Sequence, residues 1–315
     1  AYGRIRPRTP MAMNFSLPSR AAVALVIALG CATGAVPPPG NSQQAGFPEE
    51  FSQREANRFW IDNRPGQGFD LEALGKAGTF LMQLHGAGAE DALLAAGAAL
   101  VLGIPSIYVV EERKQLPWFL TEADASFPHQ VRVFKPSELG AGLPQAAELR
   151  AQAPQLDGEL PQVSDSFLGC LMSGLSEEQY QEGARHLRAI AESLRAYGGV
   201  ENPFCEGIAV KSTNTFGIPA QALRADLAAV QTAKYCVFYV HDRKARPSGM
   251  WVELGAALAL GKPSVLLTPG LEALPPVLRQ SPWPDNLRVV LYESHAELLR
   301  QLQDPEAARS LLPRP

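Results

Sequence analysis

The feature that most constrains the fold is an internal repeat, because the chain carries one helix-and-strand segment twice. GAALVLGIPS, residues 97–106, aligns with GAALALGKPS, residues 255–264, at an offset of 158 residues, and only two of these ten pairs differ. The similarity continues through two further pairs of segments: TFLMQLH (79–85) with YCVFYVH (235–241), and VRVF (131–134) with LRVV (287–290). A match over about sixty residues indicates duplication of a strand–helix–strand unit.

Strands and helices alternate along both repeats, which predicts an α/β protein. Continuous apolar strands such as residues 235–240 are typical of a parallel sheet that is covered on both faces. We therefore predict two doubly wound parallel-sheet units in tandem, Rossmann-like or flavodoxin-like. The first copy spans residues 14–140, with a Pro/Gly-rich start over 36–68. A polar linker spans 141–164, and the second copy spans 165–305.

Composition narrows the classes of ligand and partner. Hydrophobic residues make up 46% of the chain and charged residues 19%, the net charge is −4, and no stripe of Lys or Arg offers a surface to a nucleic-acid duplex. No zinc-like Cys/His spacing and no GxGxxG fingerprint occur, so neither a metal nor a redox cofactor is expected. One or two phosphates remain possible ligands, because a helix N-terminus suffices to bind them.

Localisation depends on one segment. Met11–Cys31 has an Arg, an apolar run and a Cys where an exported lipoprotein signal would place them. The other interpretation is a buried first strand over 21–30, favoured because ALGCATG (28–34) resembles FLGCLMSG (167–174) deep in the chain. With the strand interpretation, we expect a cytoplasmic protein whose cysteines are reduced and buried: Cys31, Cys170, Cys205 and Cys236.

One acid distinguishes the two copies. Glu253 stands near the start of the repeated helix in the second copy, whereas Ala95 takes its place in the first. In a doubly wound sheet, ligands bind where strands end and helices begin, and Glu253 falls in that region after the strand ending at Val240. The plainer interpretation is a solvated glutamate favoured near a helix start. A lone acid in an apolar stretch is, however, either costly or placed for use.

The segment around Glu253 resembles a known signature. SGMWVELGAALALGKP, residues 248–263, is similar to the SGTxxELGxAxALGKP motif of nucleoside 2-deoxyribosyltransferases. It also resembles the 2′-deoxynucleoside 5′-phosphate N-hydrolases and the wider TIR-like superfamily. LRADLAAVQTAKYCVFYV, residues 223–240, extends the similarity, which covers most of 165–303 and, more weakly, 20–140.

The resemblance implies a set of site residues. Glu253 would be the nucleophile that attacks C1′ of a nucleoside or nucleotide, and Asp226 matches the family's first Asp as a second catalytic residue. Ser248 and Gly249 match the Ser-Gly of the motif and are candidates for sugar or phosphate contact. Further candidate substrate-binding residues are Met172, Ser173 and Gly174 after the first strand, together with Asp242 and Trp251.

Two departures concern the proton donor to the leaving base. The family's second Asp is Lys234 here, and the Asp that often precedes Ser-Gly is Pro247. Asp242 lies nearby as a substitute or as an ordinary solvated turn residue. His241 and His85 end equivalent strands, and because the copy without a glutamate keeps its His, we favour a structural role for both.

Two functions follow as alternatives. One is an N-glycosidase or glycosyl transferase acting on a nucleoside, nucleotide or NAD-like molecule. The other is a catalytically silent nucleotide-sensing or interaction module in a signalling or defence system. Family members commonly act as dimers in which a neighbouring subunit closes the site. The first copy would then be a lid or scaffold in an intrachain pseudo-dimer, a homo-oligomer being the alternative, with no duplex or membrane partner.

Overall fold

Two parallel β-sheets, one from each copy, form the framework of the described part of the chain. The computed structural model describes residues 58–62, 70–84, 89–138, 149–151, 166–171, 175–198, 203–204, 217–243, 248–279 and 282–312. All of these belong to one compact unit, residues 50–315. Among the helices of this described part, none is long and apolar enough to cross a bilayer.

The first sheet has four parallel strands in the order β1-β2-β3-β4. They are β1 (Arg58–Asp62), β2 (Thr79–Gln83), β3 (Ser106–Val109) and β4 (Val131–Phe134). The helices of this copy are α1 (Leu71–Gly75), α2 (Glu90–Val101) and α3 (Ala123–Ser126), with 3-10 turns at Arg113–Gln115, Trp118–Glu122 and Pro136–Glu138.

The second sheet has five parallel strands in the order β6-β5-β7-β8-β9. They are β5 (Ser166–Cys170), β6 (Pro203–Phe204), β7 (Tyr235–Tyr239), β8 (Ser264–Thr268) and β9 (Leu287–Leu291). The helices are α4 (Glu177–Gly198), α5 (Pro219–Thr232), α6 (Gly249–Ala259), α7 (His295–Gln303) and α8 (Pro305–Leu311), with 3-10 turns at Leu271–Ala273 and Pro276–Leu278. Counted within this copy, the order is 2-1-3-4-5, the flavodoxin-like order. The sheet grows on one side of β5 with β6 and on the other side with β7, so the topological switch point lies between β5 and β7.

The predicted α/β class with two parallel sheets is confirmed, and the structure adds a strand that the sequence analysis did not predict. The position beside β2 is held by β1, Arg58–Asp62, which lies in the segment predicted as a Pro/Gly-rich start. The alignment had given that position to residues 21–30, which lie outside the described residues. The Pro and Gly content of residues 36–68 hid this strand, because the five residues of β1 contain neither Pro nor Gly.

The repeated helices α2 and α6 end in the same way, which explains the shared LGxP sequence. Gly103 and Gly261 follow the helix ends with φ of 69° and 66°, a left-handed conformation that favours glycine. In each case the glycine N–H and the next N–H bond back to the last turn. Ile104 N donates to Ala99 O, and Lys262 N donates to Ala257 O, both at 2.9 Å. These are Schellman ends, and the following Pro prevents the helix from continuing.

Helices α2 and α6 also join the two copies. A Cβ at Gly97 would lie 1.8 Å from Val252 O, and a Cβ at Gly255 would lie 1.9 Å from Leu94 O. The repeat offset of 158 converts the first of these contacts into the second. The helix pair is therefore related by an approximate two-fold axis, as in a symmetric dimer interface, and only glycine permits so close a crossing.

A second pair of contacts obeys the same symmetry. In the first copy, Phe119 from the 3-10 turn at Trp118–Glu122 covers Gly249 at the start of α6, where a Cβ would lie 2.3 Å from its ring. In the second copy, the equivalent Val277 donates its N–H to Asp91 Oδ1 at 3.2 Å, at the start of α2. Each copy thus covers the N-terminus of the other copy's repeated helix.

The strand β7 divides the second copy into two apolar layers. Cys236, Phe238 and Val240 face the core that contains α2, α5 and α6. The alternate residues Tyr235 and Tyr239 face the layer formed with α4 and α7. Cys236 and Cys170 are buried free thiols, as predicted, and burial raises the pKa of Cys236 to about 12. The other two cysteines lie outside the described residues.

Candidate active site at the start of α6

Helix α6 positions Glu253 close to the carboxyl edge of the second sheet. Ser248 is the N-cap of this helix, and its hydroxyl accepts a hydrogen bond from Met250 N at 3.4 Å. Glu253 follows one turn later, ~6 Å below the helix start. Its side chain is half-buried, although the other residues of its turn are buried in the core.

The carboxylate of Glu253 lies against the end of β5. A Cβ built on Gly169 would be 2.8 Å from Glu253 Oε2 and 2.8 Å from Phe238 Cδ1. Gly169 is the next-to-last residue of β5 and pairs with Phe238 of β7. The acid therefore lies between the carboxyl ends of β5 and β7, which is the switch point where doubly wound sheets bind ligands.

The first copy contributes to the same region. Phe119 covers one side of Gly249, and Ser248 is only 1% exposed. The predicted contacts Ser248 and Gly249 therefore lie at the start of the Glu253 helix, where Ser248 is buried and Gly249 lies beneath Phe119 of the other copy. The Ser248 hydroxyl uses one acceptor site as the helix cap.

The two remaining helical candidates are buried. Asp226 lies near the middle of α5, which packs against α6 and β5, and it is 4% exposed. Trp251 is fully buried in the apolar core, where it packs between secondary-structure elements. A direct substrate contact by Trp251 would require that core to open, so packing is the role its position supports.

The loop candidates divide into two groups. Asp242 is half-buried just beyond the carboxyl end of β7, at the same edge of the sheet as Glu253. Met172, Ser173 and Gly174 lie outside the described residues.

Lys234, which replaces the family's second Asp, precedes β7 and so lies at the opposite end of that strand, ~17 Å from its carboxyl end. An acid at position 234 of this chain would not reach the switch point.

A cluster of aromatic and imidazole groups lies on the other face of the sheet. The Tyr239 hydroxyl contacts the Nδ1 atoms of His186, at 3.2 Å, and of His295. The two imidazoles stack with centroids 4.2 Å apart, and Tyr292 stacks on Tyr239 and donates to Val240 O at 2.6 Å. With neutral imidazoles, the Tyr239 hydroxyl can donate to one Nδ1 and accept from the other.

Burial determines the protonation of this cluster. Desolvation, reinforced by the neighbouring imidazoles His186 and His241, lowers the pKa of His295 to about 4. Desolvation also lowers the pKa of His186 and raises the pKa values of both phenols, Tyr239 and Tyr292. Near neutral pH the cluster is uncharged, and it ties α4 and α7 to the end of β7.

Sequence reasoning missed Gly169, Phe119 and the imidazole cluster. A signal existed for Gly169, because an isolated glycine inside an apolar strand marks a close approach. For Phe119, the repeat alignment gave the position but not the contact. The imidazole cluster joins residues that are far apart in sequence, so no local pattern could reveal it. The chain has only five histidines, and that scarcity was the one reason to ask where each of them lies.

The arrangement offers a carboxylate, and among the described residues no group of three metal-ligating side chains accompanies it. Two cavities lined by described residues lie elsewhere. One, of about 240 Å³, is between α4 and the α7–α8 pair, and the other, of about 690 Å³, is at the amino ends of β8 and β9.

Comparison with known protein families, curated proteins and solved structures finds no match for this chain.

Proposed function

We propose that this chain is an N-glycosidase or glycosyl transferase of the nucleoside 2-deoxyribosyltransferase-like kind, acting on a nucleoside, nucleotide or NAD-like molecule. The observation that carries the proposal is the position of the Glu253 carboxylate over Gly169, between the carboxyl ends of β5 and β7. Parallel sheets of this topology bind ligands there. A carboxylate is also the group that attacks an anomeric carbon in retaining glycoside cleavage.

The chemistry follows from the nucleophile. A Glu253 oxygen attacks C1′, the bond from C1′ to the base nitrogen breaks, and its electron pair leaves with the base, which takes up one proton. Water then attacks the glycosyl ester and returns the carboxylate, so that the net reaction is hydrolysis of substrate to sugar and base. A second base in place of water gives transfer.

The first copy is proposed to act as the scaffold for this site. Its 3-10 turn covers the start of α6 with Phe119, and its helix α2 supports α6 through the glycine crossing. At the other side of this turn, Glu122 Oε2 accepts from Ala220 N at 3.4 Å, at the start of α5. Such contacts are those a neighbouring subunit would make in a dimer, which supports an intrachain pseudo-dimer.

Base release from a panel of nucleosides, deoxynucleoside monophosphates and NAD tests the proposal. We expect Glu253→Gln to lower kcat by at least a thousandfold, because the amide is a far weaker nucleophile of nearly the same size. Glu178→Gln, on the exposed start of α4, is the matched control and should retain wild-type turnover. Undiminished turnover in Glu253→Gln would remove the nucleophile assignment.

A silent nucleotide-binding module is the second candidate. It is favoured by the two departures from the family's motif, Lys234 and Pro247, which leave the proton donor to the leaving base without an assigned residue. The same panel separates the two functions when binding is measured by calorimetry alongside turnover. A nucleotide that binds the wild-type protein without base release supports the module and contradicts the enzyme.

A further inference from the structure

Gly169 occupies a strand position that a larger residue would normally fill. It lies in β5, a strand whose residues are all buried, and glycine there contributes no side chain to the core. Three atoms lie within 3.0 Å of a Cβ built on it: Glu253 Oε2, at 2.8 Å, and Cδ1 and Cε1 of Phe238. The space of a side chain at position 169 is thus taken by the carboxylate and the Phe238 ring.

The first copy shows what replaces this arrangement when the acid is absent. Phe238 is equivalent to Met82 through the repeat, and the neighbouring strands agree, because Phe238 pairs with Leu266 where Met82 pairs with Tyr108. Met82 in turn pairs with Ile61 of β1, so Ile61 holds the register position of Gly169.

All three positions therefore differ together between the copies. Gly169, Phe238 and Glu253 in the second copy correspond to Ile61, Met82 and Ala95 in the first. The largest change adds a β-branched side chain on the strand, and the other two remove the carboxylate and the ring that a Cβ on the strand would meet. In sequence, the side-chain volume that Ala95 lacks relative to Glu253 is matched by the volume that Ile61 has and Gly169 lacks.

We propose that Gly169 is the positioning residue for the Glu253 carboxylate. Gly169, Phe238 and Glu253 form one packing unit, and all three of its positions carry other residues in the first copy. The effect of Gly169 on catalysis rests on the proposed function of Glu253 as the nucleophile. The packing of the three residues does not depend on that function.

Stability of variants of the full chain tests the packing unit. Gly169→Ile alone should lower the urea midpoint strongly, because its side chain meets both the carboxylate and the ring. Adding Phe238→Met and Glu253→Ala recreates the residues of the first copy and should recover most of the lost midpoint. A triple variant at or below the midpoint of Gly169→Ile would overturn the unit. If Gly169→Ile does not fold, recovery of a folded triple variant is the supporting result.

Activity of Gly169→Ala tests the positioning role. Its single methyl displaces the carboxylate, and a shift of about 1 Å can cost up to a hundredfold in rate. We expect kcat to fall at least tenfold with KM changed less than threefold, and the acid limb of the pH profile to move. Gly183→Ala, whose Cβ would be 4.0 Å from the nearest atom, is the control. An unchanged kcat and pH profile in Gly169→Ala would overturn positioning.

The outcomes distinguish failure of the proposed function from failure of the positioning role. If wild-type protein releases no base from any substrate, the proposed function fails, and the urea series alone decides the packing unit. If turnover is present but Gly169→Ala leaves it unchanged, the positioning role fails while the nucleophile assignment survives.

Discussion

The two copies keep the same scaffold but differ in what it holds at the switch point. The repeated helix, its Schellman end and the glycine crossing are preserved in both copies. The acid is not preserved, because the residue equivalent to Glu253 in the first copy is Ala95. The helix-to-helix contact is therefore a requirement of the assembly, which both copies must meet, whereas the carboxylate is a local feature that one copy can lose.

The two copies should respond equally to mutation at the crossing of α2 and α6, because the symmetry makes the two glycine contacts equivalent. Gly97→Ala and Gly255→Ala each place a Cβ less than 2 Å from a backbone carbonyl oxygen of the other helix. Because backbone cannot move aside as a side chain can, we expect each to lower the free energy of unfolding by about 3 kcal/mol. Urea unfolding of the two variants measures it.

The control for the crossing is Gly75→Ala in α1, where a Cβ meets nothing within 4 Å. This change should be neutral or slightly stabilising. Unequal losses for Gly97→Ala and Gly255→Ala, differing by more than about 1.5 kcal/mol, would break the pseudo-symmetry, because the two crossings would then not be equivalent.

Most of this framework could be predicted from sequence, because repeated segments and apolar periodicity are local signals. The helix α6 with Glu253 near its start and the strands β7 and β8 follow from such patterns. Two kinds of information were missing. The strand β1, RFWID, begins and ends with a charged residue and lies in a Pro- and Gly-rich segment, so its apolar pattern is too weak to recognise. The contacts of Phe119 and Gly169 depend on how distant elements pack, which no local pattern encodes.

The copies differ in charge at the contact between Val277 and Asp91, which is equivalent to the contact between Phe119 and Gly249. Asp91 accepts a hydrogen bond from Val277 N, while its counterpart Gly249 carries no titratable side chain. Burial, against the opposing effect of that hydrogen bond, raises the pKa of Asp91 to about 6. The folded protein therefore prefers the protonated acid, and stability is lost as pH rises from about 4 to about 6.

We expect this loss to be about 1.5 kcal/mol, after allowing for partial solvent screening of a half-buried group. Asp91→Asn keeps an oxygen that can accept from Val277 N and removes the titration. Urea midpoints of this variant should therefore lack the part of the decline that the wild-type protein shows between pH 4 and 6. Identical pH slopes in variant and wild type would contradict a buried, titrating Asp91.

The smallest effect is expected in the second copy and has the opposite sign. Tyr239, the centre of the imidazole cluster, is replaced by Gln83 at the equivalent position of the first copy, so the cluster belongs to the second copy alone. The pKa of His295 is lowered to about 4 by burial and by the neighbouring imidazoles. The folded protein prefers neutral His295, so stability is lost as pH falls from about 6.5 to about 4. Screening at this half-exposed site limits the loss to about 1 kcal/mol.

His295→Gln removes this titration while leaving a polar group beside Tyr239. The variant should therefore be less sensitive than wild type to acidification below pH 6.5, whereas Asp91→Asn should be more sensitive, because it removes the opposing slope. Chemical shifts of the imidazole carbons provide the direct measurement, since His295 should titrate near pH 4. A value near 6.5 would contradict a buried, neutral His295 in the cluster.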